Sequence, residues 1–273
     1  MHRSTNVRSR GDPIEHDVPD KVFVIPYRNR EPHRAVVMSM LPDLLEGHNY
    51  MVLFVHQRDK RPFNRGAIKN LGFLHVKGSY PRNYQNITLV FHDIDYLAYR
   101  KHQFSYDTTR GTVNHFFGYP KSLGGIFAIK AGDFERIGGF PNLWTWGRED
   151  NMLYERAVRA RLSINYSEFV HGKDDIDSMV ALWHGWDRLI SMKTVKQYTQ
   201  YTRSGHADIS NVSSSKEKLA PRFYMIHVDR FTTSNTARDG VADARIMNAR
   251  VCDGQARPRR GARGRKRFGI MFT

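Results

Sequence analysis

Two hydrophobic periods alternate along residues 21–95. Residues 22–25 are Val, Phe, Val and Ile, closed by Pro26; a short run of β-branched and aromatic residues suits a buried strand. Residues 33–45 then place Val36, Val37, Met40, Leu41 and Leu44 at helical spacing. The pattern predicts a second strand at 50–55, an amphipathic helix at 64–73 and a third strand at 87–91 that runs into His92, Asp93, Ile94 and Asp95. Strand, helix, strand, helix, strand implies parallel, right-handed βαβ units, an α/β fold. Ligands of such sheets sit beyond the carboxyl ends of the strands. Two polar clusters fall there: Pro26, Tyr27, Arg28, Asn29 and Arg30 after the first strand, and Asp93 and Asp95 after the third.

Residues 111–139 are rich in glycine and aromatics, with pairs at Gly124/Gly125 and Gly138/Gly139 that permit tight turns and close backbone approach. A helix is predicted at 149–160 and a late strand at 223–228, while the polar, serine-rich stretch 199–217 reads as a long loop. Residues 1–20 read as a disordered arm, and the Arg, Gly and Ala composition beyond 230 as a disordered tail. The sequence thus divides into an arm (1–20), one domain (21–230) and a basic tail (231–273).

Charge and cysteine content narrow the function classes. Of a net charge of +16, the stretch from 236 onward carries ten Lys/Arg against three Asp/Glu. That tail is a candidate contact for polyanions, but no nucleic-acid-binding module accompanies it. The one cysteine, Cys252, makes no intrachain disulfide and no multi-cysteine zinc site. Together with a polar N-terminus lacking an apolar signal core, and no run long enough for a membrane helix, it favours a soluble, cytoplasmic protein.

Three clusters carry candidate chemistry. Asp93 and Asp95, two residues apart just past a strand, can reach one divalent cation, which would bridge the diphosphate of a nucleotide-sugar. Trp144 and Trp146 precede Glu149 and Asp150; indole faces stack on sugar rings, and one carboxylate can take the proton of an attacking hydroxyl. Arg28, Arg30 and Arg65 bring guanidinium forks suited to phosphate, and His184 is a candidate metal ligand. Each has an ordinary structural reading when taken alone: a turn, a helix N-terminus, surface charge, a hydrogen-bonded histidine.

In combination and in order these motifs resemble one family, the β-1,4-galactosyltransferases of glycosyltransferase family 7. The resemblance runs through residues 24–31, 63–65, 70–73, 91–95, 124–125, 139–142 and 146–150, and covers about 21–230. It implies a single GT-A domain, a Rossmann-like nucleotide-sugar-binding fold, with an inverting mechanism and Mn²⁺ dependence. It implies that Pro26, Tyr27, Arg28, Asn29, Arg30, Phe63, Asn64, Arg65, Asp93, Ile94, Asp95 and Trp146 bind the UDP-sugar donor. Arg148, Glu149, Asp150 and Asn151 would engage a glycan acceptor, Glu149 and Asp150 would be catalytic with Asp150 the base, and Asp95 and His184 would hold the metal. It also implies a Golgi location, against the cytoplasmic one that composition favours.

Three departures from the family pattern carry expectations of their own. Ala181 occupies the slot of a usual methionine ligand, with Met179 two residues away as a substitute. Arg148 and Asn151 flank the Glu–Asp pair in place of a glycine and an acid, which shifts acceptor choice. Ser122, before Gly124 and Gly125, stands where a bulky aromatic shapes the donor-sugar pocket, so UDP-N-acetylgalactosamine joins UDP-galactose as an expected donor. The alternative reading is a non-catalytic glycan- or nucleotide-sugar-binding relative with a decayed metal site.

Overall fold

The computed structural model describes residues 18–172, 176–183, 185, 187–191, 196–198, 201–236 and 244–248. The predicted arm up to residue 17, His184 and the basic stretch from 249 on lie outside the described residues.

The apolar runs become the centre of a mixed sheet. Strand β1 (Lys21–Tyr27) is buried along its whole length and pairs in parallel with β2 (Tyr50–Gln57) on one side and β3 (Thr88–His92) on the other. Helix α1 (Glu31–Leu44) starts earlier than its apolar periodicity, because Pro32 is tolerated in a first turn that has no use for its missing N–H. It packs Val37, Leu41 and Leu44 on one face of the sheet. Helix α2 (Arg65–Ser79) covers the opposite face with Ile68, Leu71, Phe73 and Val76. The result is helices on both faces of a largely parallel centre.

The structure assigns one stretch that the sequence left open and corrects another. The glycine- and aromatic-rich middle folds as a hairpin, β5 (Thr112–Tyr119) and β6 (Ser122–Lys130), with β6 antiparallel to β3. The supposed serine-rich loop contains β11 (Ser210–Ala220), antiparallel to β12 (Phe223–Thr232), which itself lies parallel to β2. Nine of the eleven β11 residues are exposed. An edge strand facing water needs no apolar alternation, and polar or charged side chains there discourage pairing with other chains. Part of the expected tail is also ordered: β13 (Arg245–Asn248) pairs antiparallel with β10 (Asp187–Ile190).

The remaining elements complete the site's frame. They are β4 (Tyr96–Ala98), α3 (Ala131–Arg136), α4 (Glu149–Arg159), β7 (Ser163–Asn165), β8 (Val170–His171) and β9 (Met179–Ala181). The main sheet has the order β11-β12-β2-β1-β3-β6-β5-β7, with β8 also paired to β5. Because β6 runs opposite to β3, its first residues stand at the edge where β1, β2 and β3 end. The Asp93 N–H donates to the Gly125 carbonyl at 2.9 Å and ties the two together. Among the described residues no helix is long and apolar enough to cross a membrane.

Candidate active site

Arg65, the first residue of α2, is the centre of the polar edge. Asn64 caps that helix by accepting from the Ala67 N–H at 3.0 Å. The Arg65 fork then opens onto three carboxylates. Nη2 donates to both oxygens of Asp93 at 2.6 Å; Nη1 donates to Asp150 at 2.7 and 2.8 Å and to Glu149 at 3.0 Å. One turn along α2, Lys69 places Nζ 3.3 Å from Asp150 and 3.7 Å from Asp93, and 4.6 Å from the centre of the Phe140 ring. Lys69 is buried. Two cations from the first turns of α2 therefore face three acids, one from the end of β3 and two from the N-terminus of α4.

The environment separates the acids. Burial pushes Asp93 up, but Arg65 and Lys69 outweigh it and hold the carboxyl at about 2. Glu149 is raised, first by burial and then by the Asp150 charge beside it, with Arg65 opposing. The Glu149 side chain is 4% exposed and that of Asp150 20%, so Asp150 is the member of the pair that a ligand can reach. Buried Tyr198 donates to the Thr145 carbonyl at 3.1 Å and to Glu149 at 3.4 Å, which fixes Glu149 from behind. Gly124 makes room for Asp150: a Cβ at position 124 would collide with its carboxylate. Gly125 needs its residue type for a different reason, a φ of +68°.

Gly124→Ala is therefore a clean positioning test. It is expected to displace the Asp150 carboxylate and lower turnover about 100-fold, since small misplacements at a reacting centre cost that much, while thermal stability changes little. Steady-state kinetics and a melting curve check it; wild-type turnover would show that Asp150 has slack.

The other sequence-derived residues fall into distinct places. Pro26 and Tyr27 are buried within β1, and Ile94 is buried in the core, so their side chains pack rather than line the cleft. The Tyr27 hydroxyl donates to Glu31 at 3.1 Å. Arg28 is a correction: its guanidinium clasps the chain after β2, donating to the carbonyls of Gln57 at 3.1 Å, Asp59 at 2.6 Å and Arg61 at 2.6 Å, and lies 5.6 Å from the Phe63 ring. With all three guanidinium nitrogens engaged in this way, Arg28 shapes the donor side rather than binding phosphate. Asn29 and Arg30 remain at the rim, exposed and half-buried. Asn64 is buried as the helix cap. Trp146 is half-buried, its backbone N–H donating to the Leu189 carbonyl at 2.9 Å, while Trp144 is buried and stacks on Phe231 with 5.4 Å between ring centres. Arg148 is exposed at the N-cap of α4; Asn151 donates to the Lys121 carbonyl at 3.1 Å, beside the hairpin turn that leads to half-buried Ser122.

Among the described residues no three His, Cys, Asp or Glu side chains already form a metal cage. The residues present still fit a hard divalent cation whose remaining ligands come from a nucleotide diphosphate. Asp95 presents a half-buried carboxylate at the sheet edge. Tyr96 pairs with Ala181, and the Leu182 N–H donates to the Asp95 carbonyl at 2.8 Å, so the chain lies beside Asp95 as far as Leu182. Oxygen and nitrogen donors suit Mn²⁺. Met179 is no substitute ligand: it is buried in the core and its sulfur takes the Gln103 amide at 3.5 Å.

Sequence reasoning missed Lys69, Tyr198 and Arg188. Arg188, on β10, acts electrostatically on Asp95, Arg30 and Tyr96, which places a cation by the candidate metal carboxylate. Its position follows from the β10–β13 pairing, which no sequence period announces.

The mixed sheet with an acidic edge defines a GT-A nucleotide-sugar transferase fold. The catalytic domain of Drosophila beta1,4galactosyltransferase 7, solved with xylobiose, superposes with a TM-score of 0.64 at 16% identity, over 82% of this chain and 98% of that one. A mutant of that fly enzyme, solved with manganese, UDP-Gal and xylobiose, gives 0.61. Two family models match: the N-terminal region of glycosyl transferase group 7 over residues 4–107, and a galactosyltransferase domain described as N-terminal over 107–184. Mouse beta-1,4-galactosyltransferase 4 is 27% identical over 248 residues, 83% of this chain and 68% of its own length. Bovine beta-1,4-galactosyltransferase 1 is 30% identical over 176 residues, 60% of this chain and 43% of its own length. The chain belongs to the group 7 galactosyltransferase family.

Proposed function

We propose that the chain is an inverting, Mn²⁺-dependent hexosyltransferase that moves galactose or N-acetylgalactosamine from a UDP-sugar to a hydroxyl of a glycan acceptor, with residues 21–230 as the transferase domain. The observation that carries this reading is the Arg65 junction, where the donor-side Asp93 and the acceptor-side Glu149 and Asp150 meet on one guanidinium.

Asp150 is the base. An acceptor hydroxyl that enters beside it gives its proton to the carboxylate, and its oxygen attacks the anomeric carbon as the bond to the UDP oxygen breaks. Glu149, held by Tyr198 and Arg65, orients the acceptor by accepting from a second hydroxyl. Mn²⁺ held by Asp95 and His184 would supply Lewis-acid stabilisation of the departing diphosphate. Arg30 and Arg188 add positive charge on the same side, where negative charge develops. Trp146 offers an indole face between donor and acceptor. The basic stretch beyond residue 236 is a proposed polyanion contact separate from this chemistry.

A non-catalytic, glycan-binding reading is favoured by one feature, the absence of a ligand from both Ala181 and Met179. Product stereochemistry separates the two. Galactose or N-acetylgalactosamine carried over with inversion, read by NMR of the new glycosidic linkage, is the expected result; retention, or the absence of product, contradicts the reading.

Donor choice rests on Ser122. Its small side chain is expected to admit UDP-N-acetylgalactosamine as well as UDP-galactose, and Ser122→Tyr to reduce the first relative to the second by about tenfold or more. A donor panel scored by UDP release checks this; strict UDP-galactose use by the wild type would overturn it.

A further inference from the structure

Beyond the hairpin turn next to Asn151, a row of aromatic side chains leaves the acid cluster and runs along the outer edge of the sheet. Tyr119, at the end of β5, is 52% exposed and close enough to Tyr96 to act on its hydroxyl. Its ring meets His171 edge to face at 5.6 Å; Phe169 follows at 6.3 Å from His171, and Tyr166 at 5.1 Å from Phe169. Tyr166 is 36% exposed, and its phenol lies near enough to the Lys121 backbone and the Tyr154 side chain to be influenced by both. Lys121 is the residue whose carbonyl Asn151 holds, so the row is continuous with the acceptor side of the site.

On its far side Tyr166 enters a groove of about 570 Å³ along β5 and β7. Thr108, Thr112, Asn114, Ser163 and Asn165 line it with hydroxyl and amide groups. The carboxylate of Asp107, also in the lining, is matched by Lys21 at 2.7 Å. The amides are arranged relative to one another: Asn165 donates to Asn114 at 3.1 Å, and Asn114 to the Asp107 carbonyl at 2.6 Å. Neither Lys nor Arg is among the described residues that line the groove, so it does not ask for a polyanion.

We propose that this track binds the sugars of an oligosaccharide acceptor distal to the accepting residue; the inference rests on the transferase reading and names its substrate as an extended glycan. Sugar rings combine an apolar C–H face with a rim of hydroxyls. Exposed aromatics match the face, and planar amides and hydroxyls, each both donor and acceptor, match the rim. The eight residues of β5, at roughly 3.3 Å each, give the track room for several rings.

Titration calorimetry on the full chain tests it with N-acetylglucosamine oligomers and xylose oligomers of one to five units, and with a short single-stranded DNA. At least one saccharide series is expected to bind about tenfold tighter at five units than at one. Tyr166→Ala should remove that gain and leave the single sugar unchanged, while Tyr166→Phe, which keeps the ring, retains it. Affinity independent of length in both series, preference for the DNA, or equal weakening of monomer and pentamer by Tyr166→Ala would overturn the proposal. UDP release measured in parallel keeps the two readings apart. Release without length dependence sinks the track alone; length dependence without release sinks the transferase reading alone.

Discussion

Asp150→Asn is expected to lower kcat by about 10²–10⁴-fold, the usual contribution of a positioned general base, and to leave the fold intact. Charge balance explains the second half. Arg65 and Lys69 face Asp93, Glu149 and Asp150, so neutralising Asp150 leaves two cations opposite two carboxylates. The amide oxygen can still accept from Arg65, and the side chain keeps its volume against Gly124. KM for the acceptor should change little, because Glu149 stays in place behind Tyr198. Glu149→Gln is expected to behave in the opposite way, raising acceptor KM more than it lowers kcat. Single-turnover and steady-state kinetics on the two variants check the division of labour; a kcat for Asp150→Asn within tenfold of wild type would move the base to Glu149.

Arg65→Met removes the cation that all three acids share, and here stability is expected to fall as well as activity. Breaking an ion cluster this far removed from water by deleting one partner costs on the order of 3 kcal/mol, because the remaining charges keep their desolvation penalty. For a domain of this size that lowers Tm by roughly 6–12 °C. The pH dependence has a definite sign. Asp93 is held at about 2, below its ordinary 3.8, so its pairing stabilises the fold above about pH 4 and is lost as the pH falls toward 2. The variant lacks that contribution at neutral pH already. The two melting curves should therefore stand furthest apart near pH 7 and converge toward pH 2. Arg65→Lys should fall between, since one ammonium cannot reproduce a fork that reaches Asp93 with one arm and Asp150 and Glu149 with the other. Equal melting temperatures for wild type and Arg65→Met at pH 7 would contradict the account.

These expectations show where the sequence was readable. Strands β1, β2, β3 and β12 and helices α1, α2 and α4 announce themselves, because burial on one or both faces leaves an apolar run or a helical period. β11 does not, because an exposed edge strand of Ser, Lys and Glu carries no such period. The β5–β6 hairpin is hidden by glycines that serve close approach, at Gly124 to Asp150 and at Gly125 through its positive φ. Asp93, Glu149, Asp150 and Arg65 were recognisable as polar residues at strand and helix ends, and the fold brings them together. The partner of Arg65 was not recognisable: phosphate was the expectation from a guanidinium beside a nucleotide site, and three carboxylates are what it meets. Lys69 reads in sequence as an ordinary helix lysine. The signal was its place four residues after Arg65, on the stripe of α2 that also carries Phe73 and Val76, both buried. Tyr198 reaches Glu149 across 49 residues, a separation that no local pattern encodes.

The central claim is metal-dependent sugar transfer at the edge where Asp95 and Asp150 stand. UDP release from UDP-galactose and UDP-N-acetylgalactosamine, measured with Mn²⁺ and with chelator in the presence of N-acetylglucosamine oligomers, tests it most directly. Release that needs Mn²⁺ and disappears in Asp95→Ala is the predicted result. No release from either donor with Mn²⁺ present, or release that chelator and Asp95→Ala leave untouched, would contradict it.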